Sequence, residues 1–263
     1  MPPSAKTALI TGASFGIGLE LARIFAREGY DLVLVARSAD KLRQLASELE
    51  KAHGTRSLIL AVDLTDPGAP GYILDQTSRA NILINVLVNN AGFGQYGLFV
   101  ESDLEECLRQ IQLNVTTLTH LTRLYLPGMI GRQEGRILNV ASTAAFQPGP
   151  LMAVYFATKA YVLHFSEALA NELAGTGVTV TCLCPGATRT EFHKRAKATE
   201  VKLLKMGSMD AATVAEDGYR ALMAGKPVVI SGFKNWLLAQ SVRFSPRRLV
   251  TAIARKAQET KSQ

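Results

Sequence analysis

Short, unbroken apolar runs recur along this chain, and each is followed by a segment of helical period. Thr7–Thr11, Leu32–Val35, Ser57–Val62, Ile84–Val88, Arg136–Ala141, Val178–Leu183 and Pro227–Ser231 are the runs. A strand with one face in water alternates apolar and polar residues, whereas a continuous run suits a strand covered on both faces. Between the runs, Gly16–Gly29 spaces Ile17, Leu21, Ile24 and Phe25 as a helix, with Gly29 as its stop. Ala39–His53 turns Leu42, Leu45 and Leu49 to one side and is closed by Gly54. Residues 66–81 read as irregular to weakly helical. Residues 102–131 read as a long helix broken near Pro127 and Gly128, and Leu151–Ala174 as another ending at Gly175. Helices at 210–224, 234–243 and 246–258 complete the pattern. Alternating strands and helices imply right-handed crossovers, so the expected fold is α/β, a doubly wound parallel sheet of about seven strands.

No linker, repeat or low-complexity stretch divides the 263 residues, and one domain over 1–263 is expected. At 48% hydrophobic and 19% charged residues, disorder is excluded. Three cysteines make no disulfide framework, and no Cys/His cluster suggests a metal. Cys182 and Cys184 share one side of a strand and read as core, and Cys107 as an ordinary helix residue. This usage suits a reducing, cytoplasmic setting. The charge-free stretches Ala80–Val100 and Ile137–Thr158 are too polar or too Pro-broken to read as membrane spans.

The first strand runs into Thr11-Gly12-Ala13-Ser14-Phe15-Gly16-Ile17-Gly18 and then a helix. Gly12 permits a turn that a Cβ would obstruct, Gly16 lets the backbone approach a pyrophosphate, and Gly18 allows close packing of helix on strand. N–H groups at the helix start would face the anion. The alternative is a plain Gly-rich turn. Strand two ends Val35-Ala36-Arg37-Ser38, with no acid for a ribose diol. A guanidinium there suits a 2′-phosphate, so NADP(H) is expected over NAD(H), unless Arg37 is only a solvated surface residue. Asp63 and Leu64 close strand three, where Asp63 either accepts from an adenine amino group or caps a turn. Strand four ends Asn89-Asn90-Ala91-Gly92, which either leaves room for a ribose while the amides satisfy open backbone groups, or forms an ordinary turn.

Of seven tyrosines, Tyr155 alone has a lysine four residues on, Lys159, so both side chains share a helix face. A nearby ammonium is expected to lower the phenol's pKa and make a proton donor and acceptor for a carbonyl and its alcohol. Ser142 closes strand five, where it would hold a substrate oxygen or cap a turn. Asn114 sits mid-helix between Leu113 and Val115 and would hold a water that relays protons to Lys159.

These residues, in this order and spacing over 5–191, resemble the short-chain dehydrogenase/reductase family. Carrying the resemblance are Thr11 to Gly18, Asp63, Asn89 to Gly92, Asn114, Ser142, Tyr155 with Lys159, and Pro185-Gly186 with Thr190. It implies a Rossmann-like domain and hydride transfer between a nicotinamide and a carbonyl or secondary alcohol. Tyr155 would be the general acid/base and Ser142 would orient the substrate oxygen. Lys159 would bind the nicotinamide ribose and depress the pKa of Tyr155, with Asn114 supporting the relay. Pro185, Gly186, Thr188 and Thr190 would border the nicotinamide. The family resemblance also implies a homodimer or homotetramer. One departure stands out: NADP-preferring relatives often place a basic residue before the middle glycine, and here that residue is Phe15. The phosphate would then rest on Arg37, Ser14 and Ser38.

Apolar residues flank the presumed site: Phe93, Tyr96, Ala144, Phe146, Pro148 and Met152. A hydrophobic substrate is expected (ketoacyl, steroid-like or aromatic ketone), unless these residues only pack the loops. Residues 187–209, with Phe192 and His193, read as a substrate flap, and His164 as core or interface. Net charge is +7, and it lies at the C-terminal end. Residues 1–190 hold 15 Lys and Arg against 16 Asp and Glu, whereas 191–263 hold 14 against 6. No nucleic-acid motif accompanies the charge. Ser245 as N-cap and Pro246 as first helical residue would start a basic amphipathic helix. Together with Trp236, Leu237 and Leu238 it makes 234–263 a segment for membrane-surface contact or for docking on its own domain. A non-catalytic NADP-binding regulator and a peripheral membrane protein are the alternative functions on this fold.

Overall fold

A computed structural model describes residues 6–190 and 208–259. In it, β1 (Thr7–Thr11), β2 (Asp31–Ala36), β3 (Ser57–Ala61), β4 (Ile84–Asn89), β5 (Gly135–Val140), β6 (Val178–Cys184) and β7 (Val228–Ile230) form one sheet. Their order is β3-β2-β1-β4-β5-β6-β7, and all pairs are parallel. The order reverses between β1 and β4, the place where ligands bind in sheets of this kind. The chain is a single-domain α/β fold with a seven-stranded, Rossmann-like sheet, as the unbroken apolar runs require.

Helices α1 (Gly16–Arg27), α2 (Ala39–His53) and α7 (Ala211–Met223) cover one face, and α3 (Ala69–Arg79), α5 (Leu118–Gly131) and α6 (Ala153–Glu172) the other. Phe25 of α1 is fully buried, with Tyr30 and Tyr219 edge-on at 5.1 and 5.2 Å. The helices α8 (Phe233–Ser241) and α9 (Arg247–Gln258) end the described chain. Among the described residues, no helix is long and apolar enough to cross a membrane.

The structure corrects several local expectations. Residues 66–81 contain a regular helix, α3, whose inward residues Ile73 and Thr77 are four apart. The break in 102–131 falls at Gln112–Thr117, a π-helical turn between α4 (Leu104–Ile111) and α5, while Pro127 sits inside α5. The wider turn brings the buried Asn114 amide to bond with the Phe93 backbone and Thr158, which a regular helical period would not reveal. Ser245 does not cap α9: its hydroxyl donates to the Ser241 carbonyl at 2.9 Å, and Pro246 immediately precedes the helix. His164 is not core, since it stands exposed on α6 beside Glu167. Cys182 and Cys184 are core, with sulfurs 3.8 Å apart. Of the expected flap, Thr188 bridges to Met209, while Phe192 and His193 lie outside the described residues.

Candidate active site

The site is assembled where β1 and β4 part. The Thr11 hydroxyl donates to the Val88 carbonyl at 3.1 Å and accepts from the Asn90 and Ala91 N–H groups. The Asn90 amide donates to the Thr11 and Gly12 carbonyls at 2.9 and 3.3 Å. Asn90 thus ties the ends of β1 and β4 together, the backbone-satisfying alternative read from the sequence. Gly12 lies at φ +67°, where a Cβ would come within 2.8 Å of that amide, and a Cβ on Gly18 would strike the same amide and the Gly12 carbonyl. Any larger residue would push the turn off β4. Helix α1 begins at Gly16, and its N-cap residue is Phe15, whose ring offers no capping oxygen. Helix-terminal N–H donors beside a glycine turn fit a dinucleotide pyrophosphate. Thr190 packs on Gly16, where a Cβ would meet its methyl at 2.7 Å. Ser14 and Ile17 complete the turn.

At the end of β2, Arg37 is exposed and Ser38 leads into α2. Lys41, from the first turn of α2, places its ammonium 3.6 Å from the Phe15 ring centre. The sequence reading passed over this cation. Its signal is its place in the first turn of α2, just after Arg37 and Ser38. Asp63 accepts from the Thr65 N–H and hydroxyl at 3.0 and 2.9 Å, so it caps the turn. Its other oxygen lies 3.7 Å from Arg109. Burial pushes this carboxyl up, yet the Thr65 bonds and the charges of Arg37 and Arg109 hold it below the usual carboxylate range. Leu64 turns its side chain into the core, and its carbonyl accepts from Thr117 at 2.8 Å.

Tyr155, Lys159, Ser142 and Asn114 converge beside Gly92. Tyr155 and Lys159 do share a face of α6, with the ammonium 5.8 Å from the ring centre. Lys159 is buried and donates to the Val140 carbonyl at 2.7 Å. Ser142 accepts from the Ala144 N–H at 3.1 Å, donates to the Pro185 carbonyl at 3.4 Å and hydrogen-bonds Tyr155. Ser142 therefore caps the turn, the alternative read from the sequence, while its hydroxyl also meets Tyr155. Asn114 spends its amide on the Phe93 carbonyl at 2.9 Å and the Thr158 hydroxyl at 3.0 Å, and its oxygen accepts from the Phe93 N–H. It clamps the loop after β4 to α6. A Cβ on Gly92 would come 3.1 Å from the Asn114 oxygen and 3.5 Å from the Lys159 ammonium. Pro185 and Gly186 follow β6, and the Thr188 hydroxyl donates to the Gly186 carbonyl at 3.0 Å.

The expected lowering of the phenol's pKa is corrected. The Tyr155 side chain is half-buried, and desolvation pushes its hydroxyl up to about 12, with the Ser142 bond opposing. Burial also brings the Lys159 ammonium down to about 8, against the pull of Cys182 and Cys184. Desolvation disfavours both charged forms and outweighs the Ser142 bond at Tyr155 and the cysteines beside Lys159.

A second feature missed in the sequence lies behind the site. The Asn89 amide donates to Thr122 and Asn139, the Asn139 amide donates to Ser166, and Ser166 donates to the Val162 carbonyl, all buried at 2.6 to 3.1 Å. This chain joins β4 and β5 to α5 and α6. Asn139 and Ser166 are far apart in sequence and gave no local sign of it.

The chain matches the family described as short chain dehydrogenase over residues 6–201. It belongs to the short-chain dehydrogenase family. Relatives of this short-chain dehydrogenase include the very-long-chain 3-oxoacyl-CoA reductase of Bos taurus, 37% identical over 203 residues, 75% of this chain and 64% of that protein. Among solved structures, a short-chain dehydrogenase from Sphingobium yanoikuyae in complex with NADPH is 35% identical at a TM-score of 0.80, covering 91% of this chain and 93% of that one. The bulky-bulky ketone specific alcohol dehydrogenase from Comamonas testosteroni is 31% identical at a TM-score of 0.77, covering 91% and 92%. The chain spans 61–64% of the length of the curated relatives it matches.

Proposed function

We propose that this short-chain dehydrogenase is an NADP(H)-dependent oxidoreductase that interconverts a hydrophobic ketone, of the ketoacyl or bulky type, and its secondary alcohol. The convergence of Tyr155, Ser142 and Lys159, with Lys159 beside Gly92 after β4 at the sheet's switch point, carries this reading. A nicotinamide bound there supplies or accepts the hydride. Tyr155, a neutral phenol at physiological pH, hands its proton to the substrate oxygen during reduction, and Ser142 orients that oxygen. Lys159 is mostly an ammonium below pH 8. It would hold the ribose and offset the negative charge that grows on Tyr155 as its proton leaves. Asn114 fixes the geometry by clamping the Phe93 loop to Thr158, one turn of α6 from Tyr155.

Gly12, Ser14, Phe15, Gly16, Ile17 and Gly18 would cradle the pyrophosphate. Arg37, Ser38 and Lys41 would meet a 2′-phosphate, so that Lys41 restores the cation that position 15 lacks. Asp63, Leu64, Asn90, Ala91 and Gly92 would border the adenosine and ribose, and Pro185, Gly186, Thr188 and Thr190 the nicotinamide. The NADPH complex of the Sphingobium protein supports the cofactor choice. The names of the Bos taurus and Comamonas relatives support the substrate class. An exposed stripe of Leu104, Leu108 and Ile111 on α4 supports a homo-oligomer, and the free cysteines a cytoplasmic setting.

Tyr155→Phe tests the reading. NADPH fluorescence titration should give wild-type affinity, while NADPH oxidation across ketones of graded chain length falls by about 10² to 10⁴-fold. Near-wild-type turnover would overturn the assignment.

A further inference from the structure

Three consecutive elements near the C-terminus carry large apolar side chains in the open. On α8, Phe233, Trp236 and Leu237 fall at i, i+3 and i+4 and are 75%, 45% and 54% exposed. The Phe233 and Trp236 rings stack at 5.8 Å. In the turn at Val242–Phe244, Phe244 is 89% exposed. On α9, Leu249 and Ile253 lie one turn apart and are 53% and 60% exposed, while Val250 faces inward.

Lys234, Arg243, Arg247, Arg248, Arg255 and Lys256, all exposed, are interleaved with these residues. From Gly218 to Gln258 there are eight Lys and Arg and no Asp or Glu. The surface also adjoins the candidate site. Asn235 of α8 packs so tightly on Gly186 that a Cβ there would collide with its amide, and α8 rests on residues 143–146 after Ser142.

We propose that the α8–α9 surface docks this chain on an anionic phospholipid bilayer, with the aromatic and aliphatic side chains in the interface and the cations on headgroup phosphates. Amphipathic helices of this composition lie in the plane of a membrane, and Lys and Arg extend their charged ends to the headgroups while their stems stay apolar. A second copy of the chain fits poorly. A two-fold contact sets one patch against itself, and from Gly218 to Gln258 this one brings cations from both copies and no Asp or Glu to pair with them. The proposal stands apart from the catalytic reading and does not depend on it.

Trp236 is the chain's single tryptophan, so its emission reports on this surface alone. The full chain is titrated with vesicles of phosphatidylcholine, with and without phosphatidylserine, and its emission and co-sedimentation are followed. With phosphatidylserine the emission should move to shorter wavelength and the chain should pellet, and high salt should reverse both. Replacing Arg247→Gln and Arg248→Gln together should weaken vesicle binding about 25-fold, at about fivefold per cation. Phe244→Ser and Ile253→Ser alter exposed side chains and should weaken binding with the fold intact. The proposal fails if emission is unchanged by phosphatidylserine vesicles or if phosphatidylcholine alone binds as tightly. It also fails if light scattering shows an oligomer that Phe244→Ser or Ile253→Ser takes apart, which would make the surface an interface between copies.

Discussion

Replacing Lys159 by Met removes a buried ammonium, and the consequence for stability has a definite sign. In the folded chain burial holds Lys159 at about 8, against 10.5 for an ordinary lysine. Between these values the unfolded chain keeps a proton that the native chain has released. Stability therefore rises with pH across that window, and below pH 8 the native state bears the full cost of the buried charge. The gap is roughly 2.5 pH units, worth about 3 kcal/mol. Urea unfolding from pH 7 to pH 10.5 for wild type and Lys159→Met measures it. Other groups titrate in both proteins and cancel in the difference. The wild type should gain about 3 kcal/mol on the variant over that range. The hydrogen bond to Val140 shifts the offset between the two proteins rather than the direction of this slope. A flat difference would mean that Lys159 titrates like a solvated lysine and is not desolvated by this site.

Three further substitutions test named residues. Arg37→Asp should weaken NADPH binding by roughly 10- to 100-fold, the worth of a charge-assisted hydrogen bond, while Lys41→Gln weakens it about fivefold and NADH binding stays level. Fluorescence titration reads both, and equal loss for the two cofactors would remove the 2′-phosphate assignment. Asn139→Ala would leave polar groups of Asn89 and Ser166 short of a partner in the core, at a cost on the order of 3 kcal/mol. A urea midpoint within experimental error of wild type would show that the Asn89–Asn139–Ser166 chain is not a structural tie.

The sequence alone determined the strands, most of the helices and the family of residues at the site. Continuous apolar runs such as Leu32–Val35 can be stable only when covered on both faces, so the parallel sheet was legible locally. The Tyr155–Lys159 spacing put both groups on one helix face for the same reason, since short-range geometry follows from helical period. What the tertiary structure decided depends on contacts between residues far apart in the chain. Lys41 reaches Phe15 only because α2 folds back beside the glycine turn, and Asn114 clamps Phe93 and Thr158 only because a π-helical turn brings three segments together. The direction of the Tyr155 pKa is decided in the same way. A lysine four residues away predicts a lowered phenol, but the phenol's ionisation responds to every atom that displaces water around it, and that packing exists only in the folded chain.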